Sequence, residues 1–266
     1  MRTVDLELEP GLRHPSAVVH PEARIAESAS IGPYAVIGPN VEIAEEVRVG
    51  PHVYIERDTS IGRGCTLAKG AVLGTDPQDM KYRGEDTVLE VGERTVIREY
   101  ATLNRGTAAS GRTVVGDDCL IMAYAHVAHD CRLGDHVILA NSVHMGGHVE
   151  IGEWASVGGV TAIHQFVRIG CHSFIGGGSR LPQDVVPYVM VSGNPCAAHG
   201  LNTVGLRRRG FPAATLRKLR NAYRVIFQSH LNIGQACEAL EAEGMESPEI
   251  RRMLTFIQDS RRGITT

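Results

Sequence analysis

An aliphatic residue returns every six positions from Val19 to Leu181. Of the 28 positions in that frame, all but Asp79, Glu85 and Ala109 are Ile, Leu, Val or Met. Glycine follows the aliphatic in about half of the matching hexads, as in Ile31-Gly32, Ile61-Gly62, Leu133-Gly134 and Ile175-Gly176. Three positions later stands a small or β-branched residue, such as Ala35, Val53, Cys65, Ala125, Val137 or Thr161. A beat of six fits neither a 3.6-residue helix nor a two-residue strand alternation. It is the signature of a hexapeptide parallel β-helix.

Each hexad then makes one short strand and one corner, and three hexads close a triangular coil. Residues eighteen apart stack on adjacent coils at roughly 4.8 Å. The aliphatic points into the prism, and the small residue fills the gap beside it. Glycine at the second position suits a tight corner because it tolerates φ > 0 and needs no side-chain room. A single coil cannot bury its own apolar face, so stability comes from stacking. The 28 slots predict about nine coils.

The frame survives its three misses because Leu73 to Val91 and Leu103 to Val115 are both multiples of six. The segments between them, near 75–90 and 105–113, are polar and rich in turn formers. Both read as loops leaving a corner, either functional or ornaments tolerant of insertion. After Leu181 the beat fades. Pro212 opens a helix with an apolar stripe at Leu216, Leu219, Tyr223 and Ile226-Phe227. A second helix spans Ile233–Glu243 and ends at Gly244, and a third starts at Ser247-Pro248 and runs to about Arg261. The predicted division is a β-helix over 1–190 and a helical domain over 191–266, the latter covering the last coil's strand edge.

A net charge of -3 excludes a general nucleic-acid binder. The start MRTVDLELEPGLR lacks the apolar core of a secretory leader, and no run approaches the ~18 apolar residues of a membrane span. Cys65, Cys119 and Cys131 fall on the inward filler position, Cys171, Cys196 and Cys237 are scattered, and no zinc-type pair occurs. Reduced structural thiols in a cytoplasmic protein are expected.

Five of the twelve histidines lie between 126 and 164: His126, His129, His144, His148 and His164. The eighteen-residue coil stacks His126 under His144 and sets His129 under the Gly146-Gly147 backbone, with Asp130 beside it. A neutral imidazole there can take a proton from a hydroxyl. Asp130 can fix its tautomer, and a glycine amide can donate to a tetrahedral oxyanion. Two other readings stand beside acyl transfer: a zinc site shared between subunits, and surface histidines without a role.

The run IMAYAHVAHDCRLGDHVILANS, followed by GGHVEIG and GGVTAIHQF, closely resembles the UDP-N-acetylglucosamine O-acyltransferases of lipid A biosynthesis. DPQDMKYRGE and GLNTVGLRRRGF resemble the same family, so the likeness covers nearly the whole chain. It implies a left-handed β-helix, a homotrimer with clefts between subunits, and no cofactor. It implies transfer of an (R)-3-hydroxyacyl chain from acyl carrier protein to the glucosamine 3-position of UDP-N-acetylglucosamine. By matching, His129 is the general base, Asp130 its orienting partner and the Gly147 amide the oxyanion donor. Gln78 and Asp79, with Lys81 beside them, match a loop that recognises the acyl 3-hydroxyl. His126, His148, His164 and Gln165 match sugar-side and supporting positions. Phe174 and Gly177 match the lining of the acyl tunnel, and Asn202, Arg208 and Arg209 match positions near the nucleotide and its phosphates.

Val204 stands where members often carry Glu, which leaves a 3-amino nucleotide sugar open as the acceptor. From Arg207 to Arg224 there are seven basic residues and no acidic one. This run is either a solvated helix face or a docking surface for the acidic carrier. Two readings from other classes are a zinc-dependent γ-class carbonic anhydrase and a non-catalytic scaffold. The DPQDMKY loop and the basic run argue against both.

Overall fold

The computed structural model describes residues 9–242 and 247–266. The start of the chain and the expected helix end at Gly244 lie outside the described residues. From Val18 onward the chain winds as a left-handed parallel β-helix of short strands in three sheets. The first face begins at Val18–Val19, the second at Arg24–Ile25 and the third at Ser30–Ile31. On the third face Ile31 pairs with Val49 and Val49 with Leu67, while Leu139 pairs with Val157 and Val157 with Ile175. These inward side chains are fully buried in one continuous column. The hand is opposite to the usual right-handed crossover.

The corners carry the unusual backbone. Every non-glycine residue with positive φ from Tyr34 to His172 stands on the fourth hexad position, three after the inward aliphatic. The left-handed conformation costs an L-residue about 1–2 kcal/mol, which stacking of successive coils must offset. The second-position glycines were expected to tolerate that conformation and to need no side-chain room, and the structure uses only the second property. Gly32, Gly38 and Gly62 lie outside the left-handed region, but a β-carbon on them would come within 2.9, 1.6 and 2.6 Å of the next coil's backbone. Glycine is needed there for close approach.

Leu67 pairs with Ile97 and Ile97 with Ile121, spacings of 30 and 24 residues where an uninterrupted coil needs eighteen. Asp79, Glu85 and Ala109 therefore occupy loops, and the nine-coil expectation falls to little more than eight in frame. The coil also continues beyond Leu181, out of frame. Val185 bridges to Ile169 and Val191 pairs with Ile175, each sixteen residues on. The last strand edge is covered by an antiparallel strand, Ala197–Leu201 on Val189–Ser192, rather than by a helix. The strand Val189–Ser192 runs across residue 190, and helices begin only at 203.

Among the described residues four helices follow: α1 (Thr203–Arg208), α2 (Ala213–Gln228), α3 (Ile233–Ala242) and α4 (Pro248–Gln258). The short α1 was not anticipated, and α4 stops before Arg261. Ser247 caps α4 by accepting the Ile250 N–H at 3.3 Å. The helices are tied to the coil: Arg252 donates to Glu153 at 2.8 Å, and Arg168 lies 4.8 Å over the Phe256 ring and donates to the Asp259 carbonyl. No helix among the described residues is long and apolar enough to cross a membrane.

The three faces differ outwardly. The second stacks opposite charges, Arg24 on Glu42, Arg112 on Glu90 and Arg168 on Glu150. On the first and third faces the outward strand residues from Val96 to Phe174 include Thr102, Leu120, His126, Ile138 and Ala162, none of them charged at neutral pH when histidine is neutral.

Candidate active site

The corner between the first and second faces gathers most of the chemistry. His126–Val127 and His144–Met145 are neighbouring strands of the first face, and His126 pairs with His144 as the spacing predicts. The chain turns at Asp130 (φ 60°) and again, one coil on, at His148 (φ 61°). His129 Nδ1 lies 2.8 Å from Asp130 Oδ2. An ionised carboxylate only accepts, so Nδ1 carries the proton and Nε2 keeps its lone pair. The His129 carbonyl accepts the His148 N–H at 3.0 Å, which holds the two coils in register.

Gly147 lies against the face of that ring, nearest Cε1. A β-carbon on it would come 2.6 Å from His129 Nε2 and 2.4 Å from Cε1. Its carbonyl accepts the Phe166 N–H, while its own N–H has no acceptor among the described residues. The ring that carries the base lone pair and a backbone with an unspent amide donor are therefore neighbours on adjacent coils.

Asp130 is fully covered at its side chain. Burial alone would raise its carboxyl, but hydrogen bonds from His129, Ser110 and Thr107 outweigh this and hold it well below the usual carboxylate range. Thr107 and Ser110 belong to the 105–113 segment, whose loop leaves the same corner one coil earlier. His148 Nε2 lies 3.7 Å from Asp130 Oδ2, beyond hydrogen-bond reach, and its ring stacks on Phe166 with centroids 4.5 Å apart. Burial, more than the charge of its neighbours, pushes His148 down, and the same holds for His126, whose Nδ1 meets Thr102 Oγ1 at 2.7 Å. His164 sits exposed at the next coil of this corner, Nδ1 donating to the Gln165 carbonyl at 2.9 Å.

The long loop also springs from this corner, two coils before His129. Its root is held by the buried Arg105, which donates to the Gly74 carbonyl, to Asp76 and to the Tyr82 hydroxyl. Asn104 adds bonds to Thr75 and the Asp76 carbonyl. Asp79 accepts the Lys81 N–H at 2.9 Å in a local turn, and Gln78 and Lys81 are exposed.

The remaining predicted residues do not meet His129 within one chain. Phe174 lies on the third face and Gly177 at the corner between the third and first faces. Asn202 caps α1: its Oδ1 accepts the Gly205 N–H at 3.1 Å and its Nδ2 donates to the His172 carbonyl at 2.9 Å. Arg209 lies 5.2 Å over the Trp154 ring beside His172, at the corner between the second and third faces, and Arg208 is exposed. At that same corner His136, Trp154, His172 and Tyr188 form one stacked column. Sequence reasoning missed Thr107, Ser110, Arg105 and Phe166 as parts of the site. Phe166 was accessible through its eighteen-residue spacing from His148, but the loop residues follow no spacing.

Among the described residues two groups of three possible metal ligands stand close together, His129–Asp130–His148 and Glu153–Cys171–His172. In the first, hydrogen bonds already saturate the carboxylate. In the second, the Arg252 guanidinium donates to both Glu153 and Cys171. Neither group is arranged around a vacant cation site.

Comparison with known proteins agrees with this geometry. Residues 184–265 match the model of UDP-N-acetylglucosamine O-acyltransferase, domain 2, and residues 112–147 match the bacterial transferase hexapeptide. A relative from Paracidovorax citrulli named acyl-[acyl-carrier-protein]–UDP-N-acetylglucosamine O-acyltransferase is 53% identical, over 94% of this chain and 98% of that protein. One of the same name from Myxococcus xanthus is 50% identical, over 95% and 98%. The solved UDP-N-acetylglucosamine acyltransferase of Bacteroides fragilis superposes with a TM-score of 0.94 at 42% identity, covering 96% of this chain and all of that one.

Proposed function

The chain belongs to the acyl-[acyl-carrier-protein]–UDP-N-acetylglucosamine O-acyltransferase family, and from that premise we propose how its residues perform the transfer. The enzyme moves an (R)-3-hydroxyacyl group from acyl carrier protein to the 3-hydroxyl of UDP-N-acetylglucosamine, the first step of lipid A biosynthesis. The observation that carries the assignment of the site is the pairing of His129 Nδ1 with Asp130, which leaves Nε2 free to act as a base on a ring packed against Gly147.

His129 Nε2 takes the proton of the sugar hydroxyl as its oxygen attacks the acyl thioester carbonyl. The carbonyl oxygen becomes an oxyanion and accepts from the Gly147 N–H, the term most often worth two to three orders of magnitude in such sites. Collapse reforms the carbonyl and breaks the C–S bond. The departing thiolate recovers the proton from Nε2, which returns His129 to its starting state. Asp130 remains a carboxylate throughout and holds the ring.

His126, His148, His164 and Gln165 surround this point and are assigned to the sugar and to support of the base. Gln78, Asp79 and Lys81 are assigned to the donor's acyl 3-hydroxyl, Phe174 and Gly177 to the acyl tunnel, and Arg208 and Arg209 to the nucleotide phosphates. Asn202 is assigned to the nucleotide side as the cap that orients α1. Because these groups lie at different corners of one prism, the reading calls for a homotrimer in which neighbouring subunits complete each cleft. The uncharged stretch of the first and third faces from Val96 to Phe174 supports burial between subunits, and the charge-laddered second face supports exposure. Six cysteines without a disulfide support a reducing, cytoplasmic setting.

The 3-amino acceptor and the zinc-dependent hydration of CO₂ are not favoured, because the relatives are named for O-acyl transfer. The test is His129→Ala in a protein that remains trimeric. General-base catalysis is worth about 10²–10⁴-fold, and a loss of that size is expected. Near-normal turnover would overturn the assignment, as would stoichiometric zinc with activity lost to chelators.

A further inference from the structure

We propose that Thr107, on the short loop 105–111, is the positioning residue that commits Asp130 to His129 and denies it to His148. The inference rests on the His129–Asp130 reading above. Thr107 reaches the carboxylate twice. Its backbone N–H donates to Oδ1 at 3.0 Å and its hydroxyl meets Oδ2 at 2.7 Å. The direction of the second bond is fixed, because the same hydroxyl accepts the Ala109 N–H at 3.2 Å and so turns its proton to Asp130. The Thr107 carbonyl accepts the Gly111 N–H at 2.8 Å, closing the loop behind it.

A carboxylate offers about four lone-pair sites. Here His129 Nδ1 and the Thr107 hydroxyl take Oδ2, and the Thr107 N–H and the Ser110 hydroxyl take Oδ1. Ser110 has one proton to divide between Asp130 and the Arg112 carbonyl at 2.8 Å, so Thr107 is the constant donor. From below, Thr113 Oγ1 accepts the Asp130 N–H at 2.9 Å and fixes the corner.

The need for such a clamp is visible in the second histidine. His148 meets His129 edge to face with centroids 5.2 Å apart, and its Nε2 is 3.7 Å from the same Oδ2. A shift of under one ångström would bring it within hydrogen-bond range. The two rings therefore compete for one oxygen, and the Thr107 hydroxyl holds that oxygen where only His129 bonds it. The other titratable groups nearby are His126 on the first face and Asp79 on the long loop. Neither is hydrogen-bonded to Asp130.

The test is Thr107→Val, which keeps the shape and the backbone N–H but removes the hydroxyl. Turnover is expected to fall about tenfold, with KM for both substrates within about twofold, and Thr107→Ser should restore it. Competition makes a sharper prediction in a second background. His148→Phe removes the rival donor, and phenylalanine is tolerated at this corner column, as Phe166 (φ 65°) shows. There Thr107→Val should cost less than about twofold. Equal costs in both backgrounds would reduce Thr107 to a structural residue and overturn the proposal. In ¹⁵N-histidine-labelled protein, the hydrogen-bonded Nδ1 proton of His129 should weaken in Thr107→Val, a readout independent of substrate. An unchanged Nδ1 signal would also overturn it. Should the valine variant not assemble, Thr107→Ala carries the same expectations. His129→Ala run alongside separates the failures: an active His129→Ala protein sinks the base assignment, whereas an inactive one with a wild-type-like Thr107→Val sinks this proposal alone.

Discussion

The α-carbon of Gly147 faces the ring of His129 so closely that a β-carbon there would stand 2.4 Å from Cε1 and 2.6 Å from Nε2. The backbone of Gly147 has no positive φ, so closeness alone selects glycine. The imidazole is held by Asp130 through Nδ1 and cannot retreat without straining that bond.

Gly147→Ala should therefore act on the base itself. We expect turnover lower by about two orders of magnitude, with little change in either KM and an intact trimer. Because the two residues act as one unit, the double variant with His129→Ala should be no worse than His129→Ala alone. Steady-state kinetics with size-exclusion chromatography check this. Multiplying losses in the double variant would show that Gly147 acts elsewhere.

Arg105 makes the long loop part of the rigid coil. Its side chain is 2% exposed, donates to Asp76, Gly74 and Tyr82, and leaves its Nε without a partner. Removing one member of a buried charged network costs about 3–5 kcal/mol, and Asp76 is itself exposed enough to regain water. Arg105→Met is expected to lower stability by about 2–4 kcal/mol, read by denaturant unfolding. KM for the acyl donor should rise while KM for the nucleotide sugar stays. Equal effects on both substrates would separate this arginine from donor recognition.

What the sequence carried was whatever the six-residue beat indexes. Counting eighteen placed His126 on His144 and His129 under Gly147, because an unbroken coil converts sequence distance into height. Where chain is inserted, that conversion fails. Thr107 and Asp130 are 23 residues apart with a loop between them, and no periodicity announces that they meet. The corner conformation was misplaced because glycine is the commonest sign of positive φ, yet here glycine marks contact between coils and Asp130 or His148 takes the left-handed turn. The coil beyond Leu181 was illegible for a similar reason: Val185 and Val191 are buried, but a coil of sixteen residues leaves the frame. The six residues of α1 are too few for a helical stripe.

Arg217, Lys218 and Arg224 are exposed on α2, whose buried face is Leu216, Leu219, Ala222, Tyr223 and Ile226, and Arg220 is half-buried. No carboxylate among the described residues pairs with these four cations. Reversal of Arg217, Lys218 and Arg220 to Glu is expected to raise KM for acyl carrier protein several-fold and leave that of the nucleotide sugar nearly unchanged. The wild-type carrier KM should climb with salt, since the Debye length shrinks to about 8 Å at 0.15 M. A carrier KM indifferent to salt would make the helix an ordinary solvated face.

His172 gives the fold an acid sensitivity unrelated to catalysis. Burial first, and then the Arg209 charge, push its imidazole down to about 4. An unfolded histidine titrates near 6.5, so between about pH 6.5 and 4 the unfolded chain takes up a proton that the folded chain refuses. Stability contributed by neutral His172 is present above pH 6.5 and is lost as pH falls through that window. His172→Phe keeps a ring between Trp154 and Tyr188 and removes the titration. Its Tm should fall less between pH 7 and 4.5 than that of the wild type. Parallel Tm curves would refute the linkage.

Val204 raises the question of which nucleophile is acylated. It is exposed on α1, one helical turn before the exposed Arg208. A glutamate at 204 would be placed for an i, i+4 pair with Arg208, the favourable order on a helix. Valine leaves that guanidinium unneutralised for a phosphate group. On this argument Val204 adjusts how the nucleotide is held and does not choose between oxygen and nitrogen at the sugar. The 3-hydroxyl sugar is then expected to remain the preferred acceptor. Val204→Glu should raise its KM a few-fold with little change in turnover. Side-by-side assays with the 3-hydroxy and 3-amino nucleotide sugars check both statements. A kcat/KM favouring the amine by more than about tenfold, or ~1.4 kcal/mol of transition-state discrimination, would overturn the choice of acceptor. If Val204→Glu then restored preference for the hydroxyl, position 204 would be the specificity determinant.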